Sequence, residues 1–140
     1  MRLLDQYRCD KAYQDIGNLD SSIKKREYRS RARNFPSAVR RNGLLQSLSG
    51  LLSENKPSAD MRYAKHICKW LNYAMGEGWI ANPTGTNGSV GHVTIPEKPV
   101  EAVDYLSNQK ASDYLYITEE VIQFSSWLKR AAESLLSDQD

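Results

Sequence analysis

The sequence of 140 residues has few of the residues from which metal and catalytic sites are usually built. It contains two histidines and two cysteines, and it has no HExxH or CxxC motif. His66 and Cys68 lie two positions apart on a predicted helix, so their side chains point in different directions and do not suit one metal ion. Both Cys9 and Cys68 fall in helical patterns, which favours buried thiols over a disulfide. We therefore expect no metal site, no cofactor and no catalytic residues.

Long apolar runs are also missing. After Met1 and Arg2 the first apolar run is only Leu3-Leu4, which is too short for the core of a signal peptide. No segment approaches the roughly 20 apolar residues that cross a bilayer. These absences predict a cytoplasmic protein with no membrane partner, and the length suits a single domain over 1–140.

Two further patterns resemble functional motifs but lack the necessary context. Glu119 and Glu120 are adjacent on a predicted helix, so their carboxylates diverge and do not form an acid/base pair. Three glycines recur at every third position between 85 and 91, but the Lys-Ser/Thr pair of a phosphate-binding loop does not follow them. We interpret this region as a long loop at about 81–99, which holds three of the five prolines.

Helical periodicity covers most of the remaining sequence and predicts an all-α fold, a single-domain helical bundle of about five to seven helices. The clearest helix is the last one, where apolar residues recur at intervals of three and four: Tyr114, Ile117, Val121, Phe124, Leu128, Ala131 and Leu135. This spacing is typical of a long helix that packs against a bundle.

The predicted second helix has candidate signals at both of its ends. Asp20 or Ser21 is expected to cap its start, and Asn42-Gly43 is expected to end it. Pro36 lacks an amide hydrogen and predicts either a kink or a new helix start near Phe35; we favour the kink, because the apolar pattern continues past it. The short helix that follows is so rich in leucine that it is either central to the core or partly exposed for a neighbour; we favour the core.

One stretch of the sequence has almost no acidic residues. Between Lys24 and Arg41 the chain holds eight of its 19 Lys and Arg residues and one acid, Glu27, which gives a charge of +7. Residues 1–23 sum to −1 and residues 42–140 to −4. A basic block on a mildly acidic domain is typical of a surface that binds a polyanion, most often nucleic acid.

The spacing within this block predicts a helix with two faces. An apolar row is formed by Tyr28, Ala32, Phe35 and Val39, and a basic row beside it is formed by Lys25, Arg29, Arg33 and Arg40. Cations four residues apart on a helix are about 6 Å apart along its axis, which suits a phosphate backbone gripped without base contacts. The alternative is a solvated helix face. We favour the nucleic-acid interpretation because acids for intrahelical pairing are almost absent.

Two blocks of the sequence resemble the small subunit of the Cmr effector complex of type III-B CRISPR systems. The first runs from Glu27 through the basic stretch and Pro36 to Asn42-Gly43-Leu44 and an apolar helix. The second begins with Tyr116-Ile117-Thr118 and leads into Trp127-Leu128-Lys129-Arg130. The helices between these blocks match the family only in kind.

The resemblance implies an all-helical, non-catalytic, RNA-binding subunit that acts in antiviral defence. Several copies would stack along a ribonucleoprotein beside its backbone and large subunits, facing the groove that holds guide RNA and target RNA, while other subunits cleave. It implies phosphate contacts for Lys25, Arg29, Arg33, Arg40 and Arg41, with Lys24 and Arg26 beside them. Lys129 and Arg130 match the second block. They either contact RNA or stabilise the C-terminal end of their own helix.

Two other functions remain compatible with a basic helix. One is the small subunit of the related type III-A complex, although the Asn42-Gly43-Leu44 and Trp127–Arg130 blocks favour type III-B. The other is a helix-turn-helix regulator that binds DNA in the major groove. That motif needs a turn of three or four residues before its recognition helix, and the long basic helix with Pro36 argues against it.

Overall fold

The computed structural model describes residues 3–52, 58–79 and 98–136, and all regular secondary structure within these ranges is helical. Its six helices are α1 (Leu4–Gly17), α2 (Lys25–Asn42), α3 (Leu44–Gly50), α4 (Ala59–Gly76), α5 (Pro99–Ser107) and α6 (Ala111–Leu135). The predicted all-α bundle of five to seven helices is confirmed. The predicted loop at about 81–99 lies outside the described residues, except at its end, where Pro99 already belongs to α5.

The central element of the bundle is α6, because α1, α2 and α4 all pack against it. Its predicted apolar row is buried from Ile117 to Ala131. Leu135, which was expected to extend this row, is 50% exposed, and Leu136 is buried instead. The reason is that the helix ends at Leu135, and the extended backbone of Leu136 turns its side chain back toward the core.

Aromatic rings connect the helices in the core. Trp70 of α4 stacks on Phe124 of α6 with ring centroids 4.7 Å apart. Phe35 of α2 meets Tyr63 of α4 edge-on at 5.0 Å. Such pairs contribute about 0.5–1.5 kcal/mol each beyond their area burial. They hold α4 against both α2 and α6.

The connection between α1 and α2 differs from the sequence prediction. The N-cap of α2 is Lys24, which makes no side-chain capping hydrogen bond, so the predicted cap at Asp20 or Ser21 is wrong. These residues lie too far before Lys25 for a short side chain to reach the free amides of the first turn. Asp20 instead accepts a hydrogen bond from the backbone amide of Ser22 at 3.1 Å and closes a local turn.

Helix α2 is continuous from Lys25 to Asn42 and contains Pro36, so the alternative of a new helix start near Phe35 is wrong. Proline removes one backbone hydrogen bond and crowds the preceding turn. Phe35, Pro36 and Val39 are all buried, and their burial offsets this cost.

The junction between α2 and α3 is a single glycine. Gly43 has φ +86° and ends α2 as predicted, with its amide donating to the carbonyl of Val39 at 2.8 Å. The hydroxyl of Tyr114 on α6 accepts from the amide of Leu45 at 2.9 Å and so satisfies the start of α3. Leu44 and Leu48 are buried, which confirms the prediction that α3 belongs to the core.

Helix α4 begins with a side-chain cap, in which the Ser58 hydroxyl accepts from the Met61 amide at 3.2 Å. It ends at Gly76, where the glycines at 76 and 78 predict a stop. Among the described helices, none is both long enough and apolar enough to span a bilayer.

Candidate nucleic-acid interface

Helix α2 separates its apolar and basic residues onto neighbouring sides. The core contains Tyr28, Ala32, Phe35, Pro36 and Val39. At about 100° per residue, five basic residues fall within an arc of about 100° beside this buried face. We call them the basic stripe: Lys25, Arg26, Arg29, Arg33 and Arg40. The four residues of the predicted basic row are therefore brought together, and Arg26 joins them.

Most of the basic stripe faces solvent. Arg29 is half-buried, and the other four residues are exposed. Arg33 is the member with a neighbouring acid on α6, at 3.6 Å between its Nε and Oε1 of Glu133. Lys25, Arg26 and Arg40 form no ion pair with any residue in the three described ranges. Since half-exposed pairs such as Arg33–Glu133 are weak, the stripe remains strongly cationic.

Two predicted contact residues lie outside the stripe. Lys24 precedes the helix, and its ammonium is 3.9 Å from Glu27. Arg41 lies about 100° around the helix from Arg40, and its Nε donates to the carbonyl of Ser37 at 3.4 Å. Both side chains are exposed and lie at the margins of the row formed by the other five.

The second half of α6 extends this basic surface. The Arg33–Glu133 pair places this part of α6 beside the stripe. Lys129 and Arg130 precede Glu133 by four and three residues, so they lie on the same side of α6. Lys129 is half-buried and Arg130 is exposed. The sequence alone could not place these two residues, because the contact between α2 and α6 joins residues far apart in the chain.

Arg31 belongs to the basic block but has a structural role. It lies on the opposite flank of α2, where its Nε and Nη2 donate to the two carboxylate oxygens of Asp60 at 2.9 and 3.1 Å. This two-point contact ties α2 to the start of α4. Arg31 is thus a cation of the block that is held by the fold.

His66 is the histidine that the described residues contain, and it lies in the interior beside Tyr28. His66 is 8% exposed, and its Nδ1 is 2.6 Å from the hydroxyl oxygen of Tyr28. Burial lowers the pKa of His66 to about 3, and nearby Arg62 and Lys69 act in the same direction. The imidazole is therefore neutral near pH 7 and cannot serve as a proton acceptor with a pKa matched to that pH.

The neighbouring glutamates diverge as predicted. Glu119 is exposed and accepts a hydrogen bond from Gln123 at 3.2 Å. Glu120 is 6% exposed and binds Arg8 and Trp70 in the interior. Within the described parts of the chain, no group of three His, Cys, Asp or Glu residues is placed to hold a metal ion. The glycine-rich positions between 85 and 91 lie outside the described residues.

The helix connections do not match a helix-turn-helix motif. Residues 18–24 separate α1 from α2, which is longer than the required three or four residues, and Gly43 alone separates α2 from α3. The basic helix is therefore not presented as a recognition helix of this type.

Comparisons with known proteins give a consistent result. The model of the family described as CRISPR-associated protein (Cas_Cmr5) matches residues 4–135. The fold is similar to the crystal structure of a CRISPR-associated Cmr5 family protein from Thermus thermophilus, with a TM-score of 0.71. The two chains are 22% identical, and the match covers 97% of this chain and 100% of the Thermus chain.

Proposed function

The chain belongs to the Cmr5 family, the small subunits of the type III-B Cmr effector complex of CRISPR systems, and on that premise we propose that its basic stripe binds the backbone of guide and target RNA. In this role the protein is non-catalytic. It supplies electrostatic contact along the RNA, while base pairing supplies target specificity. The family assignment favours this role over that of a type III-A small subunit.

The observation that carries the proposal is the row of largely exposed cations on α2. Successive members at Lys25, Arg29 and Arg33 rise about 6 Å along the helix, which is close to the spacing of phosphates along a nucleic-acid strand. The largest gap in the basic stripe lies between Arg33 and Arg40. Lys129 and Arg130 of α6 extend the basic surface beside this gap. Lys24 and Arg41 lie at its margins and contribute to the long-range field.

The shape of this surface explains why binding would be independent of sequence. The cations stand on the convex outer side of α2, where their side chains are largely exposed. Lysine and arginine on such a surface reach phosphate oxygens, which carry no base identity.

We predict that Arg26→Gln with Arg40→Gln weakens RNA binding to the same degree for every sequence. Each lost phosphate contact reduces the slope of log K against log salt concentration by about 0.7 for single-stranded RNA. The slope for the double variant should therefore be smaller than that of the wild type by about 1.4. The measurement is fluorescence anisotropy with several unrelated RNAs that have hydroxyl groups at both ends, over a salt series. Arg26→Gln and Arg40→Gln are also measured singly, and Lys110→Gln, which removes an exposed cation at the start of α6, is the control for each of them.

The outcome that would contradict this proposal is an unchanged affinity and salt slope in the double variant. RNA recovered from the same assays with Mg²⁺ should be intact, because no metal-ligating cluster or poised acid/base pair occurs in the described residues. Cleavage that depends on an Asp or Glu of this chain would contradict the non-catalytic role.

A further inference from the structure

A cavity of about 530 Å³ lies between α1 and α4, and none of the basic stripe residues lines it. The described residues of its walls come from three parts of the chain. Asp15 and Asn18 belong to the end of α1, and Lys98 precedes α5. The remaining lining residues lie on α4: Arg62, Lys65, His66 and Lys69.

Four of these residues are cations that converge on one concave space. Arg62, Lys65 and Lys69 lie on one side of α4, because they are spaced by three and four residues. Arg62 shares its charge with Asp20 at 3.1 Å, outside the cavity lining. Lys65 and Lys98 are exposed, and neither forms an ion pair with a residue in the described ranges. Two of the four cations therefore have no acidic partner among the described residues.

The deeper part of the cavity contains two groups that set its charge. The His66 ring is neutral near pH 7 because burial holds its pKa at about 3. The Asp15 side chain is 10% exposed, and its carboxylate is 3.9 Å from the Lys69 ammonium. Burial raises the pKa of Asp15 to about 6, opposed by the charges of Lys69 and Lys11. The cavity therefore carries a positive charge whether Asp15 is ionised or not.

The geometry of the cavity differs from that of the basic stripe in a way that predicts a different ligand. Cations in a row on a convex helix suit an extended strand, whereas cations around a concave space suit a compact anion with more than one charge. A terminal phosphate monoester carries a charge of about −1.5 to −2 at pH 7 and three acceptor oxygens, as phosphorylated side chains do. A phosphodiester within a strand carries one negative charge and is flanked by two nucleosides.

We propose that the cavity between α1 and α4 is a second anion site, which binds the terminal phosphate of a nucleotide. Lys65 and Lys98 contact the phosphate directly, and Arg62 and Lys69 complete the positive rim. When the phosphate draws Lys69 toward itself, Asp15 loses its nearest counter-charge and takes up a proton. The ligand is either a free mononucleotide or the phosphorylated end of an RNA strand.

The test is isothermal titration calorimetry at low salt with four probes: AMP, adenosine, and a five-nucleotide RNA with either a 5′-phosphate or a 5′-hydroxyl. AMP should bind at least about tenfold more tightly than adenosine, because its phosphate adds two partly exposed charge contacts. If the phosphorylated RNA also binds more tightly than its hydroxyl form, the site accepts strand ends. If it does not, the site takes free nucleotides.

The variants identify the residues responsible. Lys65→Gln with Lys98→Gln should reduce the affinity for AMP about tenfold, and Lys110→Gln should not change it. Asp15→Asn should strengthen AMP binding several-fold at pH 7, since it removes the opposing charge. The site would be disproved if adenosine bound as tightly as AMP, or if Lys65→Gln/Lys98→Gln bound AMP with wild-type affinity while circular dichroism showed a folded protein.

This site is independent of the RNA-binding proposal, and one variant separates the two. Arg26→Gln/Arg40→Gln should lose affinity for long RNA with hydroxyl ends and retain affinity for AMP. If that variant lost affinity for AMP as well as for RNA, the assignment of AMP to the cavity would be contradicted, because neither substituted residue lines the cavity.

Discussion

The side chain of Glu120 connects three helices in the core. Its two carboxylate oxygens accept hydrogen bonds from Nη2 and Nε of Arg8, both at 2.7 Å. The indole Nε1 of Trp70 donates to the same carboxylate at 3.0 Å. The side chains of Arg8 and Glu120 are only 13% and 7% exposed, so this contact joins α1, α4 and α6 in a largely dry environment.

We predict that Glu120→Ala lowers the free energy of unfolding by about 3–5 kcal/mol, because it removes both close hydrogen bonds to the largely buried Arg8 and leaves that charge beside the exposed Asp5 at 3.4 Å. The adjacent Glu119→Ala should change it by no more than about 0.5 kcal/mol, since Glu119 is exposed. Urea denaturation of the two variants makes the comparison. Similar losses for both would mean that the buried ion pair contributes little.

The ionisation of His66 and that of Asp15 should change the stability of the folded protein in opposite directions as the pH falls. His66 is neutral in the folded protein, with a pKa of about 3, against about 6.5 in the unfolded chain. The unfolded state therefore takes up this proton first, and the stability due to His66 is complete above pH 6.5 and declines as pH falls toward 3. Asp15 has its pKa raised to about 6, so the folded state binds its proton first and gains stability as pH falls from 6 toward 4.

Removing Asp15 should therefore expose the effect of His66. We predict that Asp15→Asn loses stability more steeply than the wild type between pH 6 and 4, with a slope of up to about 1.4 kcal/mol per pH unit. The double variant Asp15→Asn/His66→Gln should have a flatter profile, because glutamine has no proton to gain. Urea denaturation at several pH values measures the three profiles. Equal slopes for the single and double variants would show that His66 is not kept neutral by burial.

At the scale of elements, the junction of α2 and α3 depends on Gly43. Its φ of +86° places it in the left-handed region, which a side chain disfavours. Tyr114 lies close to the same junction, with its hydroxyl 3.8 Å from the position that a Cβ on Gly43 would occupy. The junction sets the direction of α3 and hence the burial of Leu44 and Leu48.

We expect Gly43→Ala to destabilise the protein by about 1–2 kcal/mol through backbone strain. Gly50→Ala is the control, because Gly50 ends α3 with helical geometry and has open space at its Cβ position. That variant should be neutral or stabilising by up to about 1 kcal/mol. Thermal unfolding of both variants measures these changes. A Gly43→Ala variant as stable as the wild type would contradict this account.

At the scale of the whole molecule, the resemblance to Cmr small subunits implies that identical subunits stack along the complex. Helix α3 is not an open docking surface, because Leu44, Leu48 and Leu51 are buried. Large exposed apolar residues occur at other positions, among them Leu115 and Tyr116 near the start of α6. A head-to-tail contact between identical subunits need not close into a ring, so it can extend along a complex.

We predict a protein that is monomeric at low concentration and associates weakly, with stacking favoured when backbone subunits and guide RNA are present. A subunit that stacks only on a scaffold needs no strong contact of its own, since tethering raises its effective concentration. Sedimentation velocity over a concentration series tests this expectation. A closed dimer that persists at nanomolar concentration would contradict it.

The sequence by itself determined the helices, the basic block and the family. Periodicity is a local property, so the intervals from Ile117 to Ala131 were sufficient to place the buried side of α6. The charge of +7 between Lys24 and Arg41 was likewise visible without a structure. The errors occurred at helix boundaries. Leu135 is the last residue of α6 and is exposed, and the following residue, Leu136, is buried in its place. Asp20 closes a turn because α2 begins later than expected.

Only the tertiary structure decided which charges are available and which are bound. Arg31 and Arg33 lie two residues apart in one basic block, yet Arg31 is fixed by Asp60 of α4, and Arg33 lies beside α6. The cavity that gathers Lys65 and Lys98 has no signal in the sequence either, because these residues belong to different helical regions. The physical reason is the same in both cases: helix formation depends on neighbours in the chain, whereas ion pairing and burial depend on which helices pack together.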